Sequence, residues 1–152
     1  MVVDIIALLV SGAAFIFSLL QFIVERSRSR KEATIHAFDD LEDNDGVAYL
    51  FSISRNTIDD LIQRQNAADQ RIKEQWRLLN QAMPIIEHFA VGINSGVYDV
   101  NTLNKMAGNK IISTYAACES LIKLKRAGDG NENNYKEFED MVCALKKIRN
   151  KK

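Results

Sequence analysis

Glu87 lies between Ile86 and Phe89 on a stretch that is otherwise apolar around that turn, and a buried carboxylate must be paired, hydrogen-bonded or protonated. Two accounts follow: a structural ion pair or tyrosine contact inside a helical bundle, or a polar functional pocket, because perturbed carboxylates also mark sites. The only histidines are His36 and His88. Glu87 and His88 are adjacent, so on a helix their side chains point about 100° apart and cannot hold one ion together. His36 has Asp40 four residues on, and two ligands are too few for a closed metal site. Asp43-Asn44-Asp45-Gly46 has the look of a calcium loop. Setting Gly46 at the sixth position puts Leu41 and Ser52 where the first and last carboxylates belong, so the match fails. No nucleophile elbow, zinc-protease or phosphate-loop motif occurs. The sequence thus points to no catalytic, cofactor-binding or metal-binding residues, no cofactor and no identified small-molecule substrate, and the expectation is a protein that is not an enzyme.

Cys118 and Cys143 are isolated thiols in helical patterns, expected to be ordinary buried small hydrophobes in a reducing compartment. The chain has 20 basic and 20 acidic residues, and residues 25–152 carry 20 and 19, so no net field draws nucleic acid.

The strongest feature is a run from Ile5 to Val24 with no charged side chain, followed by Arg26, Arg28, Arg30 and Lys31. Twenty residues at 1.5 Å rise make about 30 Å, the thickness of a bilayer's hydrocarbon. Thirteen of them are Leu, Ile, Val or Phe, each worth roughly −0.3 to −0.6 kcal/mol at mid-bilayer. A cleaved signal peptide needs its basic residues before the apolar core, and here Asp4 precedes it. The expectation is a transmembrane anchor over residues 1–24, a juxtamembrane stalk helix over 25–42, and a helical bundle over 43–152 that packs with the stalk as one domain. Lys and Arg beside a span stay on the cytoplasmic side, which predicts an inner-membrane, single-pass protein with its N-terminus outside. Arg26, Arg28, Arg30 and Lys31 would then meet lipid headgroups. Within the span, Ala7, Ser11, Ala14 and Ser18 recur at 4-3-4 spacing, a small-residue strip where a second helix can approach closely.

Beyond the span the pattern is helical almost throughout. Ala33, Ala37 and Leu41 share a face of the stalk, Asp43–Gly46 reads as a turn, and a short helix follows around Val47–Ser54. Asn56 or Thr57 reads as the next N-cap. Ile72, Trp76, Leu79, Met83, Ile86, Ala90 and Ile93 are spaced 4-3-4-3-4-3 and predict the central helix, with Pro84 expected to kink it near residue 80 and Gly96 to cap it. A short helix is expected to end near Met106 and another to start at Asn109 with Ile111, Tyr115, Cys118, Leu121 and Ile122 inward. Gly128–Asn133 is a loop before a last helix with Tyr135, Phe138, Met141, Val142, Leu145 and Ile148 inward. No segment alternates as a strand does. The fold class predicted is all-α, a transmembrane helix continuing into a cytoplasmic bundle of about four to five helices. The basic end at Lys146, Lys147, Arg149, Lys151 and Lys152 suits a helix C-terminus, and lipid or nucleic acid are the other readings.

Leu78-Leu79-Asn80, Glu87, Ala90-Val91-Gly92-Ile93, Gly96-Val97, Asn134-Tyr135-Lys136-Glu137-Phe138-Glu139 and the stretch Arg28 to Thr34 resemble a family of small bacterial and phage-borne proteins. The resemblance implies an N-terminal membrane span with a helical cytoplasmic domain of unknown function, and a role in phage defence or exclusion comes from it alone. The function expected is protein interaction or self-assembly at the membrane, with membrane lipid, a homo-oligomer or a protein partner as contacts. The alternatives are an oligomeric pore or depolarising effector, for which Ser11, Ser18 and Gln21 give a thin polar lining, and an unrecognised hydrolase.

Overall fold

One helix, α1 (Val2–Glu42), carries the apolar run and the basic residues into the bundle without a break. The computed structural model describes residues 2–66 and 68–151, with side chains from Ser11 onward. From Ser11 to Ser29 every side chain of α1 is exposed, and packing begins at Arg30. Thr34, Phe38 and Leu41 are buried at helical spacing, with Ala33 and Ala37 only half-buried beside them. α1 is therefore continuous to Glu42, and the inward stripe of its last turns is turned by one residue from the alanine positions.

Asn44 ends the first turn signal in an unexpected role. Its side chain accepts from the backbone N–H groups of Gly46 and Val47 at 3.1 and 3.2 Å, so it caps α2 (Asp45–Ser52), and Gly46 is already helical. A Cβ on Gly46 would stand 3.0 Å from the Leu78 carbonyl oxygen, so the glycine lets α2 lie directly on α4 (Gln70–Asn94). Ser54, not Asn56 or Thr57, caps α3 (Arg55–Gln63). Asp69 caps α4 by accepting from Arg71 N–H at 2.8 Å. The expected stripe of α4 is buried at Ile72, Leu79, Met83, Ile86, Ala90 and Ile93. Trp76 is half-buried and donates its indole N–H to the Leu61 carbonyl of α3 at 3.2 Å. Pro84 sits inside α4 without ending it, and Gly96 takes the left-handed conformation (φ 75°) that the cap required.

The two helices expected before and after residue 107 are one, α5 (Val100–Asp129). Gly108 and Asn109 lie in its interior, where they receive the Arg149 side chain; a packing signal had the look of a break. Gly130 closes α5 in the left-handed region, and α6 (Lys136–Asn150) completes the chain. The fold is all-α with six helices and no strand among the described residues. α2 packs on α4, α3 and the last turns of α1 on α5, and α6 bridges α4 and α5, which have little direct contact with each other. The core runs from Phe38 and Leu41 through Leu79, Ile86 and Ile111 to Phe138 and Leu145. Phe138 is fully buried with Tyr115 edge-on at 5.2 Å, a placement worth about 2–3 kcal/mol of apolar burial.

Candidate functional site: an exposed apolar helix and its joint with the bundle

Phe15, Ile16, Phe17, Leu19, Leu20, Phe22, Ile23 and Val24 are all between 46% and 66% exposed. At 100° per residue these positions cover about 220° of the circumference of α1, wider than a single partner stripe, and Ser11, Ala14, Ser18 and Gln21 occupy the remaining sector. Among the described residues no helix is long and apolar enough to cross a membrane. The described side chains of the run, from Ser11 to Val24, account for about 21 Å of helix, short of the roughly 30 Å of hydrocarbon. Ile5 to Val10, and with them Ala7 of the small-residue strip, lie outside the described side chains. Ser11, Ala14 and Ser18 fall on one exposed face, and helical periodicity sets that face roughly opposite Thr34, Phe38 and Leu41. The Ser18 hydroxyl donates to the Ala14 carbonyl at 2.9 Å, so its proton is spent within the helix.

The basic residues divide at the joint. Arg26, Arg28 and Lys31 face outward, with Arg28 Nε 2.9 Å from Glu32 Oε1. Arg30 turns into the bundle: its Nη2 donates to the Tyr98 carbonyl at 3.3 Å, and its Nε is buried without a partner. Thr34 is the pivot. Its hydroxyl donates to the Arg30 carbonyl at 2.7 Å and accepts from the Asp99 N–H at 2.7 Å. Asp99 in turn caps α5, accepting from Thr102 N–H and hydroxyl at 2.7 and 2.8 Å. Burial pushes the Asp99 carboxyl up, but the Thr102 hydrogen bonds with the charges of Arg30 and Lys31 outweigh it and hold the group below its ordinary range. Two turns on, Glu42 pairs with Lys110, whose ammonium sits 4.6 Å over the Phe51 ring.

Glu87 is neither ion-paired in the core nor bonded to a tyrosine. Its two carboxylate oxygens accept from the backbone N–H groups of Glu137 and Phe138, at 3.1 and 2.8 Å, and so cap α6 from another helix. Tyr135, the local capping position, is left-handed (φ 61°) and offers no side-chain bond. Asn94 adds a second tie, donating to the Glu137 carbonyl at 2.9 Å and to its carboxylate at 2.7 Å. Sequence reasoning flagged Glu87 but could not see the acceptor's purpose, because donor and acceptor are fifty residues apart.

Arg149 was grouped with the C-terminal lysines, and the structure separates it from them. Its Nε and Nη2 donate to Asn104 Oδ1 (2.7 Å) and the Asn104 carbonyl (3.1 Å), and its Nη1 to Asn109 Oδ1 (2.6 Å). A Cβ on Gly108 would stand 2.8 Å from that guanidinium. The glycine inside a helical pattern was the available signal for this clamp. A cleft of about 720 Å³ beside Lys123, Arg126 and Lys136 is open, and its Arg126 is spent on Glu139 (2.9 Å) and the Asn134 carbonyl (2.9 Å). Cys118 is buried, its thiol pushed up to about 12 by that burial, whereas Cys143 is exposed, contrary to the expectation that both are core residues. His36 and His88 are exposed, and among the described residues no three His, Cys, Asp or Glu side chains are placed to hold a metal.

Neither a curated protein nor a solved structure matches the chain. A family model described as a domain of unknown function, DUF4760, matches residues 8–145, and the chain belongs to that family.

Proposed function

We propose that the protein is a single-pass membrane protein, not an enzyme, whose helical bundle is an interaction module held beside the bilayer by α1. One observation carries the reading: eight large apolar side chains stand exposed over about 220° of the circumference of a helix that continues unbroken into the bundle. Covering each is worth roughly 1.5–3 kcal/mol, so about 12–24 kcal/mol favours covering this broad surface. Lipid encloses a helix on all sides, whereas a protein groove covers one stripe. Taken from Ile5, the run reaches the length of the hydrocarbon layer, and the outward Arg26, Arg28 and Lys31 then lie at the headgroups of the cytoplasmic face. Arg30 belongs instead to the joint.

Self-association fits the same arrangement. Pairing through Ser11, Ala14 and Ser18, roughly opposite the surface of α1 that holds the bundle, brings two anchors together with their bundles turned outward and free for partners. A pore gains nothing from the geometry, since the Ser18 hydroxyl is already bonded to its own helix. The test is fractionation of cells expressing the full chain. The protein is expected to stay with membranes through alkaline carbonate and to leave them only in detergent. Recovery in the supernatant without detergent overturns the proposal.

A further inference from the structure

Two contacts set which end of the bundle faces the anchor. Asp99, at the start of α5, meets Thr34, and Lys110, three turns later, meets Glu42. α5 therefore runs alongside α1 in the same direction, and its first turns lie nearest the apolar run. α6 runs the opposite way, with Glu139 against Arg126 and Arg149 against Asn104 and Asn109, so its C-terminal end points back toward the anchor.

That end is charged with one sign. Residues 141–151 hold Lys146, Lys147, Arg149 and Lys151 and no carboxylate, and Lys105 lies on the first turns of α5. All four lysines are exposed. Arg149 is held by three neutral amide oxygens, so its charge is not cancelled where it is fixed. Lys110 differs, being neutralised by Glu42. Met106, 41% exposed beside Lys105, adds an apolar side chain among the cations, the mixture found on surfaces that settle into headgroups.

From these placements, and resting on the membrane-anchor reading, we propose that Lys105, Met106, Lys146, Lys147 and Lys151, gathered by Arg149, form a second lipid contact that binds an anionic bilayer surface. Thr34 lies ten residues past Val24 and Lys105 six residues beyond the Asp99 contact on the parallel α5, about 24 Å from Val24 in all, and the headgroup layer occupies about 5–8 Å of that. The gap left is about two Debye lengths at physiological salt, narrowed by the extended lysine side chains and by the tilt of about 20° usual for a spanning helix. The bundle thus rests on the leaflet when the leaflet is negative and stands off when it is neutral.

The test uses the full chain in phosphatidylcholine vesicles with or without phosphatidylserine, a dye on Cys143 and acceptor-labelled headgroups. Cys143 is exposed and labels, while the buried Cys118 does not. Energy transfer is expected to rise with phosphatidylserine and to fall back in high salt. Each Lys→Gln change among Lys105, Lys146, Lys147 and Lys151 lowers the docked-to-free ratio about fivefold, with an unchanged helical spectrum. Equal transfer in both vesicles, or undiminished transfer after all four changes, overturns the proposal while leaving the anchor intact. Loss of single-stranded RNA binding by the fourfold variant with transfer unaltered overturns it in favour of nucleic acid. A chain that floats with neither vesicle overturns the anchor reading itself.

Discussion

Replacing Glu87 by alanine removes the side chain that accepts from the Glu137 and Phe138 amides at the head of α6. Loss of an N-cap costs about 0.5–2 kcal/mol, and loss of a carboxylate near a helix N-terminus a further 0.3–1 kcal/mol. Glu87 is half-buried, so water reaches the vacated amides in part and the upper ends do not apply. About 2 kcal/mol is the expected total. For a bundle of this size, unfolding entropy near 2.1 cal/mol/K per residue converts that to a fall in Tm of about 8 °C. Glu87→Gln keeps one acceptor and loses the charge, so about 1 kcal/mol and 4 °C are expected. The assay is thermal unfolding of the full chain in mild detergent, followed by circular dichroism. Amide exchange should also quicken at Glu137–Asp140 ahead of the rest of α6. A Tm for Glu87→Ala within about 2 °C of wild type, with lost biological activity, refutes the capping account and makes Glu87 a functional group.

Gly108→Ala forces the Arg149 guanidinium off α5 and should cost about 1–2 kcal/mol despite alanine's better helix propensity; in an Arg149→Ala background most of that cost disappears, and additivity within about 0.5 kcal/mol in a double-mutant cycle refutes the clamp. Because the Asp99 carboxyl is held below its ordinary value, it adds stability that is present at neutral pH and lost as pH falls below about 4, through the depressed value. Asp99→Asn should therefore give a flatter acid limb in a plot of Tm against pH, and parallel limbs count against the Thr102 and Arg30 contacts. Ser11→Leu with Ala14→Leu should reduce chemical crosslinking of the protein in membranes, and unaltered crosslinking dismisses that surface.

The all-α character was legible because 3.6-residue periodicity is local: the stripe Ile72 to Ile93 declares α4 without knowledge of what covers it. The ends of elements were less so. Asn44, Ser54, Asn56 and Thr57 are all competent caps by type, and which of them serves depends on where α2 meets α4. Asn109 misled for a physical reason. Asparagine is a common N-cap by type, but here its side chain accepts from a guanidinium of α6, forty residues on, which the bare Gly108 beside it admits. The candidate site divides the same way. The exposed run and its basic flank are contiguous and could be read directly, whereas the turn of Arg30 into the bundle depends on a carbonyl sixty-eight residues away. Glu87 stood out by its apolar surroundings alone, and its partners could not be named without the placement of α6.

The unbroken course of α1 makes it a drive shaft. Nothing between Val24 and Thr34 can absorb twist: a helix hydrogen-bonded throughout transmits rotation one-to-one, and the Thr34–Asp99 joint passes it to α5. One residue inserted between Glu25 and Ser29 would swing the attached mass by about 100°, whereas four would restore its heading to within about 40° while lifting it about 6 Å. Any partner that recognises the bundle in a fixed azimuth is thereby sensitive to the phase of the helix below it.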